Sequence, residues 1–422
     1  MEGSVVLGIR QLFRKFARRR PAGPSHVGIS LNPAIHPVRA SHGYAGHLVD
    51  SEGRDWIDLQ CAWGANILGY GYPRVTEAIQ RQAQRYAGLG MEGPEFDEFR
   101  ELFRRIVPFA EAMRFGKNGS DVTSAAVRLA RAITGRDRVL HCGYHSFHDW
   151  YVASTGCPGI PAALRRTITT LETLVPDVVE AHFQHDPRGI ACLIFDTALL
   201  PNSDGTDVKA MVEIVRQRGA LVIFDELVSG FRMAPGGMQE IWKIEPDLAC
   251  YGKSAANGMP FTILAGNRKF MDAIPRINYG LTHETEAISV AAAIATISEI
   301  LENNVCQALA EKGAALKDAC LRAAGECGVA VALVGADARP LLACDHQSGL
   351  SADEMRWLVI QELARDNVLT LGAFNLCFSH TDQDIERIVE SMSRGMGVLR
   401  AALDRRSVEG LLDSRIHSSI RT

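Results

Sequence analysis

Asp225 and Lys253, 28 positions apart, are of the right types and in the right settings for one kind of chemistry. The acid closes Ala220-Leu221-Val222-Ile223-Phe224-Asp225-Glu226, an apolar run that reads as a buried parallel strand. The lysine lies in Tyr251-Gly252-Lys253-Ser254-Ala255-Ala256-Asn257-Gly258-Met259-Pro260, whose small residues let a bulky ring approach the backbone. Pyridoxal phosphate (PLP) needs such a pair. A lysine amine forms a Schiff base with it, and a carboxylate keeps the pyridinium nitrogen protonated so that the ring draws electrons. Taken singly, an Asp-Glu after a strand is most often a metal-binding or loop-capping acid, and Gly-Lys-Ser recurs by chance. Order and spacing carry the reading.

Two more segments add to it. Lys117-Asn118-Gly119-Ser120-Asp121 precedes Ala125, Ala126, Leu129, Ala130 and Ile133, apolar positions at helical spacing, with Ser120 expected as N-cap. A glycine turn feeding a helix N-terminus suits a phosphate, though it also describes an ordinary capped helix. Asp121 suits a phosphate badly, so its side chain is expected to point elsewhere. Cys142-Gly143-Tyr144-His145-Ser146 presents an aromatic that can cover a pyridine face, with His145 either at the cofactor or a satisfied loop histidine.

In this order the four segments resemble the class III (ornithine-type) aminotransferases among the fold-type I PLP enzymes, and within them the glutamate-1-semialdehyde aminomutase-like branch. The resemblance runs through most of the chain. Trp63-Gly64-Ala65-Asn66-Ile67-Leu68-Gly69-Tyr70 with Pro73 looks like that branch's Trp-Gly segment, and Asp225-Glu226-Leu227-Val228-Ser229-Gly230-Phe231-Arg232 looks like its Asp-Glu signature. Pro246-Asp247-Leu248, Thr282 four residues before Glu286-Ala287, Phe374-Asn375, and Phe378-Ser379-His380-Thr381 resemble later blocks. The resemblance implies Lys253 as Schiff-base lysine and Asp225 as partner of the pyridine nitrogen. It implies phosphate binding by Gly119 and Ser120, stacking by Tyr144, and Thr282 completing the phosphate site of a neighbouring subunit in a homodimer with composite sites. It also implies that Trp63 lines the substrate mouth, and Asp196 is expected at the substrate.

The departures bear on substrate. Asp196-Thr197-Ala198 stands where many relatives carry Glu-Pro, Val228 where a polar or long residue is common, and Ser146 where glycine is common. No arginine is evident near Asn375 to clamp a second carboxylate, which points to an ω-amino or amino-sugar-like substrate.

These residues need a scaffold. Apolar runs at Val139–His141, Ile190–Phe195, Leu221–Phe224 and Thr262–Gly266 alternate with helical stretches, which predicts a mostly parallel sheet covered on both faces. The fold class expected is α/β, a fold-type I PLP-dependent transferase. Its large domain spans residues 60–310, and a smaller α+β domain comes from residues 1–59 and 311–422. A hairpin is expected from Gly46–Asp50 and Trp56–Asp58. Arg10, Arg14, Lys15, Arg18, Arg19 and Arg20 interleave with Leu7, Leu12, Phe13 and Phe16 as a basic amphipathic helix. Such a helix reads as a packing arm or as a membrane-surface or targeting segment.

With 422 residues and 47% hydrophobic content, the chain can bury a large core. A formal charge of −4 argues against a nucleic-acid surface. The ten cysteines show neither CxxC nor metal-like spacing, so no metal site is expected and a reducing cytoplasm fits. No apolar run approaches the roughly 18 residues of a membrane helix. The function expected is PLP-dependent amino transfer between an amine or amino acid and an aldehyde or ketone. An aminomutase or epimerase would use the same lysine and acid. A catalytically inactive binding protein of this fold is the rival from another class. No Gly-x-Gly-x-x-Gly turn supports a dehydrogenase.

Overall fold

The structure, a computed structural model, describes residues 32, 35–37, 39–413 and 416. The chain divides into two compact units. One holds Pro73–Cys306, and the other holds the described residues up to Tyr72 and from Gln307 onward. The divisions fall after Tyr72 and before Gln307, where 60 and 310 were expected. The basic N-terminal segment lies outside the described residues.

The Pro73–Cys306 unit is built on a seven-stranded sheet. Its strands are β1 (Ala112–Gly116), β2 (Arg138–Cys142), β3 (Ile168–Thr170), β4 (Ile190–Asp196), β5 (Leu221–Asp225), β6 (Leu248–Tyr251) and β7 (Thr262–Gly266). They lie in the order β1-β7-β6-β5-β4-β2-β3. Strands β2 to β6 are parallel, while β7 runs antiparallel to both β6 and β1. The apolar runs of β4 and β5 are buried along their length because helices cover both faces of such a sheet. The unforeseen strands have weaker signals. β3 has three residues, β6 has four, and β1 alternates an exposed Arg114 with buried Met113 and Phe115.

Helix α1 (Gly119–Thr134) buries Ala125, Ala126, Leu129 and Ala130 of the stripe that the helical period predicts, and Val122 besides, while Ile133 is only partly buried. Fully burying a side chain such as Leu129 contributes about 1.5–3 kcal/mol. The helix ends where Gly135 adopts φ +65°. Helix α2 (Ala287–Glu302) opens on Glu286, whose carboxylate accepts from the backbone N–H groups of Ile288 and Ser289.

In the other unit, His47–Asp50 pairs antiparallel with Asp55–Asp58, the hairpin read from sequence, and Val368–Leu369 adds a parallel strand beside it. Asp50 holds the hairpin by accepting from Trp56 Nε1 at 3.0 Å and Arg54 Nε at 2.8 Å. Among the described residues, no helix is long and apolar enough to cross a membrane.

Candidate active site

Strands β2, β4, β5 and β6 are consecutive neighbours, and each brings candidate residues to their common carboxyl edge. The chain leaves β2 into Gly143-Tyr144-His145, ends β4 on Asp196, ends β5 on Asp225, and leaves β6 through Gly252 to Lys253. In the ladder Asp196 pairs with Asp225, and Asp225 with Cys250. Strand β1 ends at the same edge and delivers Lys117–Ser120. A crevice outside the carboxyl ends of parallel strands is where such sheets bind ligands.

Asp225 is buried. Its Oδ2 accepts the Nδ1–H of His145 at 2.7 Å and its Oδ1 accepts the N–H of Leu227 at 3.1 Å. His145 is fully buried, stacked on Trp150 with ring centroids 5.9 Å apart and edge-on to Tyr151. Donation from Nδ1 leaves the neutral ring's lone pair on Nε2, which has no hydrogen-bond partner among the described residues. His141, edge-on to His145, is lowered to about 3 by burial and then by its neighbour, so it stays neutral. The loop histidine of the sequence reading is therefore a backing group for Asp225. Beside it, burial and then the charge of Asp225 raise the pKa of Asp196, against the opposing pull of Lys253 and His145.

Glu226 points away from this crevice. It is fully buried and accepts from Thr197 Oγ1 at 2.9 Å, Met238 N–H at 3.0 Å, Gln239 N–H at 2.9 Å and the Ser229 hydroxyl. Burial still pushes its pKa up to about 7 against those donors. Its task is to fasten the segment that follows Asp225. Sequence reasoning missed this anchor, although Ser229 three positions on was a visible partner.

Leu227, fixed by that segment, wedges between two turns. A Cβ at Gly119 would lie 2.7 Å from Leu227 Cδ1, and one at Gly252 2.7 Å from Cδ2. Both glycines therefore pack closely on the side chain of Leu227, two residues after Asp225. Half-buried Lys253 takes φ +43°, a left-handed conformation that costs roughly 1–3 kcal/mol in a residue with a Cβ.

The phosphate-type turn differs from expectation in one respect. Asn118, not Ser120, is the N-cap, and α1 begins at Gly119. The reason is Asp121, whose Oδ2 turns back to accept the N–H groups of Lys117 at 2.9 Å and Asn118 at 2.8 Å. The carboxylate is thus engaged with its own turn, and the first-turn N–H groups of Gly119 and Ser120 have no protein acceptor among the described residues. Thr262 Oγ1 steadies the turn by donating to Asn118 O at 3.2 Å. Lys117 Nζ meets Glu286 at 2.7 Å, tying the turn to the cap of α2. Thr282 lies on an exposed turn just before that cap.

Tyr144 is partly buried, with its ring edge-on to Tyr151 at 5.4 Å. Trp63, in the other unit, is 51% exposed. It belongs to a run of left-handed residues, Cys61, Ala62, Trp63 and Gly64, with φ of +43°, +51°, +60° and +85°. An arginine distant in sequence meets Asn375 in that unit. Arg339 Nε donates to Asn375 Oδ1 at 2.9 Å, reaching it from 36 positions upstream, so the sequence neighbourhood of Asn375 could not show it.

The residues at this edge fit PLP. They offer backbone donors without acceptors at a helix start, a buried carboxylate backed by an imidazole, an aromatic ring, and an amine, all at one carboxyl edge of the sheet.

The chain matches the family model described as Aminotransferase class-III over residues 32–176 and 203–331. Asp196 falls in the interval between the two matched segments. The chain is 28% identical over 406 residues to a 3-aminobutyryl-CoA aminotransferase of Cloacimonas acidaminovorans (strain Evry), covering 93% of this chain and 97% of that one. It is 32% identical over 324 residues to a glutamate-1-semialdehyde 2,1-aminomutase of Methanothermobacter thermautotrophicus, covering 73% of this chain and 76% of the relative. Its fold matches the PLP form of the Sphingopyxis sp. MTA144 FumI protein with a TM-score of 0.81 at 25% identity, over 94% of this chain and 97% of that one.

Proposed function

This chain belongs to the class III aminotransferases, which are PLP-dependent enzymes, and from that premise we propose how its own residues divide the work of moving an amino group. The observation that carries the proposal is the convergence of Tyr144-His145, Asp225 and Lys253 at the ends of neighbouring strands. When bound, PLP supplies a carbon that captures amines and a pyridine that draws off the electron pair left at the substrate carbon. Lys253 would hold the cofactor through its amine and, once free, would move the proton at the substrate carbon as general base and acid. Asp225 fixes a negative charge at the pyridine nitrogen, and His145 keeps that carboxylate aimed. Gly119 and Ser120 donate to the phosphate, Tyr144 covers the ring, and Trp63 and Asp196 meet the substrate.

The donor is an amine or amino acid and the acceptor an aldehyde or ketone. The test is to add a panel of amines to the yellow holoenzyme with no acceptor present. A true donor bleaches the visible band and releases its carbonyl product. Several curated relatives are named as aminomutases, which favours internal transfer as the second reading. Conversion of one amino aldehyde to its isomer, with no released carbonyl from any donor, would establish that reading instead.

Two copies of the chain form a homodimer in the cytoplasm, with Thr282 completing the partner's phosphate site. The exposure of Thr282 and the Lys117–Glu286 tie beside it support this arrangement. Mixing Thr282→Ala with Lys253→Ala subunits is then expected to restore activity, because one site of each heterodimer collects both lesions and the other neither. No recovery after verified subunit exchange would place Thr282 at its own subunit's site, and a monomer by sedimentation would end the idea.

A further inference from the structure

Outside the proposed active site, one cluster of reactive side chains is unexplained. Cys61, Cys377 and His380 belong to the same unit, are all buried, and bring their sulfur and ring nitrogen atoms within 4.8 Å of one another. Two thiols and an imidazole at that spacing could suggest a zinc-type site. The imidazole argues against it. His380 Nδ1 accepts the N–H of Cys377 at 2.9 Å, so that lone pair is used and the neutral ring carries its proton on Nε2. Nε2 is buried with no partner among the described residues, and as an N–H it has nothing to give a metal. What remains is a pair of thiols side by side.

The backbone around the first thiol is strained. Cys61 opens the left-handed run that carries Trp63, and non-glycine residues in that region persist only where their surroundings hold them. Cys61 is buried while Ala62 and Trp63 beside it are exposed, so opening a single turn uncovers the sulfur. Its partner Cys377 is buried with its sulfur within 4.8 Å of the Cys61 sulfur.

We infer that Cys61 and Cys377 are a modification site, a thiol pair that a small peroxide oxidises to a disulfide, shifting the turn that carries Trp63. The Cys377 sulfur attacks one oxygen of hydrogen peroxide, forming S–O and breaking O–O. The hydroxide released takes the thiol proton and leaves as water. The Cys61 sulfur then attacks the Cys377 sulfur, forming S–S and breaking S–O, and a second water carries off the Cys61 proton. Two thiols are oxidised, one peroxide is reduced, and the balance closes. The disulfide repositions Cys61, and with it Trp63 two residues on.

The experiment uses the PLP-loaded enzyme carrying Cys157→Ser, which removes the exposed thiol. After peroxide treatment, non-reducing peptide mapping is expected to find Cys61 and Cys377 in one linked species, two hydrogens lighter and released by dithiothreitol. Linkage is read independently of activity, so it stands or falls apart from the proposed function. The rate effect, which does rest on that reading, is a reversible loss of roughly tenfold in kcat/KM, since misplacing a positioning group by about 1 Å costs up to about 100-fold. Cys61→Ser and Cys377→Ser should each abolish both effects. Thiols that both remain alkylatable after oxidation, or a peroxide effect unchanged in both variants, would overturn the inference. So would a stoichiometric cadmium–thiolate band that Cys61→Ser removes, since the trio would then be a metal site.

Discussion

Lys253→Ala is expected to abolish turnover while leaving the fold and much of the noncovalent hold on PLP intact. The fold should survive because Lys253 sits in a short turn and is only half buried, while the buried neighbours Ser254, Ala255 and Ala256 keep their packing. The hold should survive because the proposed phosphate and ring contacts come from α1 and from the turn after β2. Two contributions disappear together: the amine that anchors the cofactor and the base that moves the proton at the substrate carbon. Proton transfer alone accounts for roughly two to four orders of magnitude. Borohydride reduction of the wild-type holoenzyme followed by peptide mapping is the direct check. A phosphopyridoxyl label on any other lysine sinks the assignment, whatever the variant's rate. Partial rescue of the variant by a small exogenous amine would show that chemistry, rather than the shape of the turn, was lost.

Much of this arrangement was legible because the strands that carry it are continuous apolar runs with a chemical residue at the end. Ile190–Asp196 and Leu221–Asp225 announce both their burial and their last residue. The glycines were legible as close approaches, though not as the two sides of a wedge, since Leu227 looks like any core residue in sequence. The helix cap was misread because Asn118 and Ser120 are both capping types. The decisive clue was Asp121, which stands at the third helical position from Asn118 and completes a capping box only with it. Contacts made across the sheet were out of reach. His145 meets Asp225 over 80 positions with β4 between their strands, and no local pattern encodes that strand order. Arg339 escaped notice for the same reason: it reaches Asn375 through tertiary structure, and a search around Asn375 in sequence finds nothing.

Asp225→Asn should cost roughly two or more orders of magnitude in the rate of substrate deprotonation, by analogy with the loss of other preorganised charges. The substitution keeps the shape and removes the charge that holds the pyridine nitrogen protonated. The electron pair left at the substrate carbon would then be drawn off poorly, so proton transfer suffers far more than cofactor retention. The surroundings sharpen the expectation. Asp225 accepts from two donors, His145 Nδ1–H and the Leu227 N–H, and an amide can accept from only one of them. An unmatched buried donor costs about 1–3 kcal/mol, so thermal melting must be measured beside the rate to separate lost charge from lost stability. Asp225→Glu restores the charge but misplaces it, and should recover only part of the rate. Solvent exchange of the donor's proton gives the deprotonation rate directly. Near wild-type exchange in an asparagine variant that binds PLP normally would show that Asp225 is not the pyridine partner. Glu226 would be a poor replacement, because its carboxylate is fully buried among four donors that hold it on the segment behind the site. That outcome would move the search to Asp196, the register partner of Asp225 and the other acid at this edge.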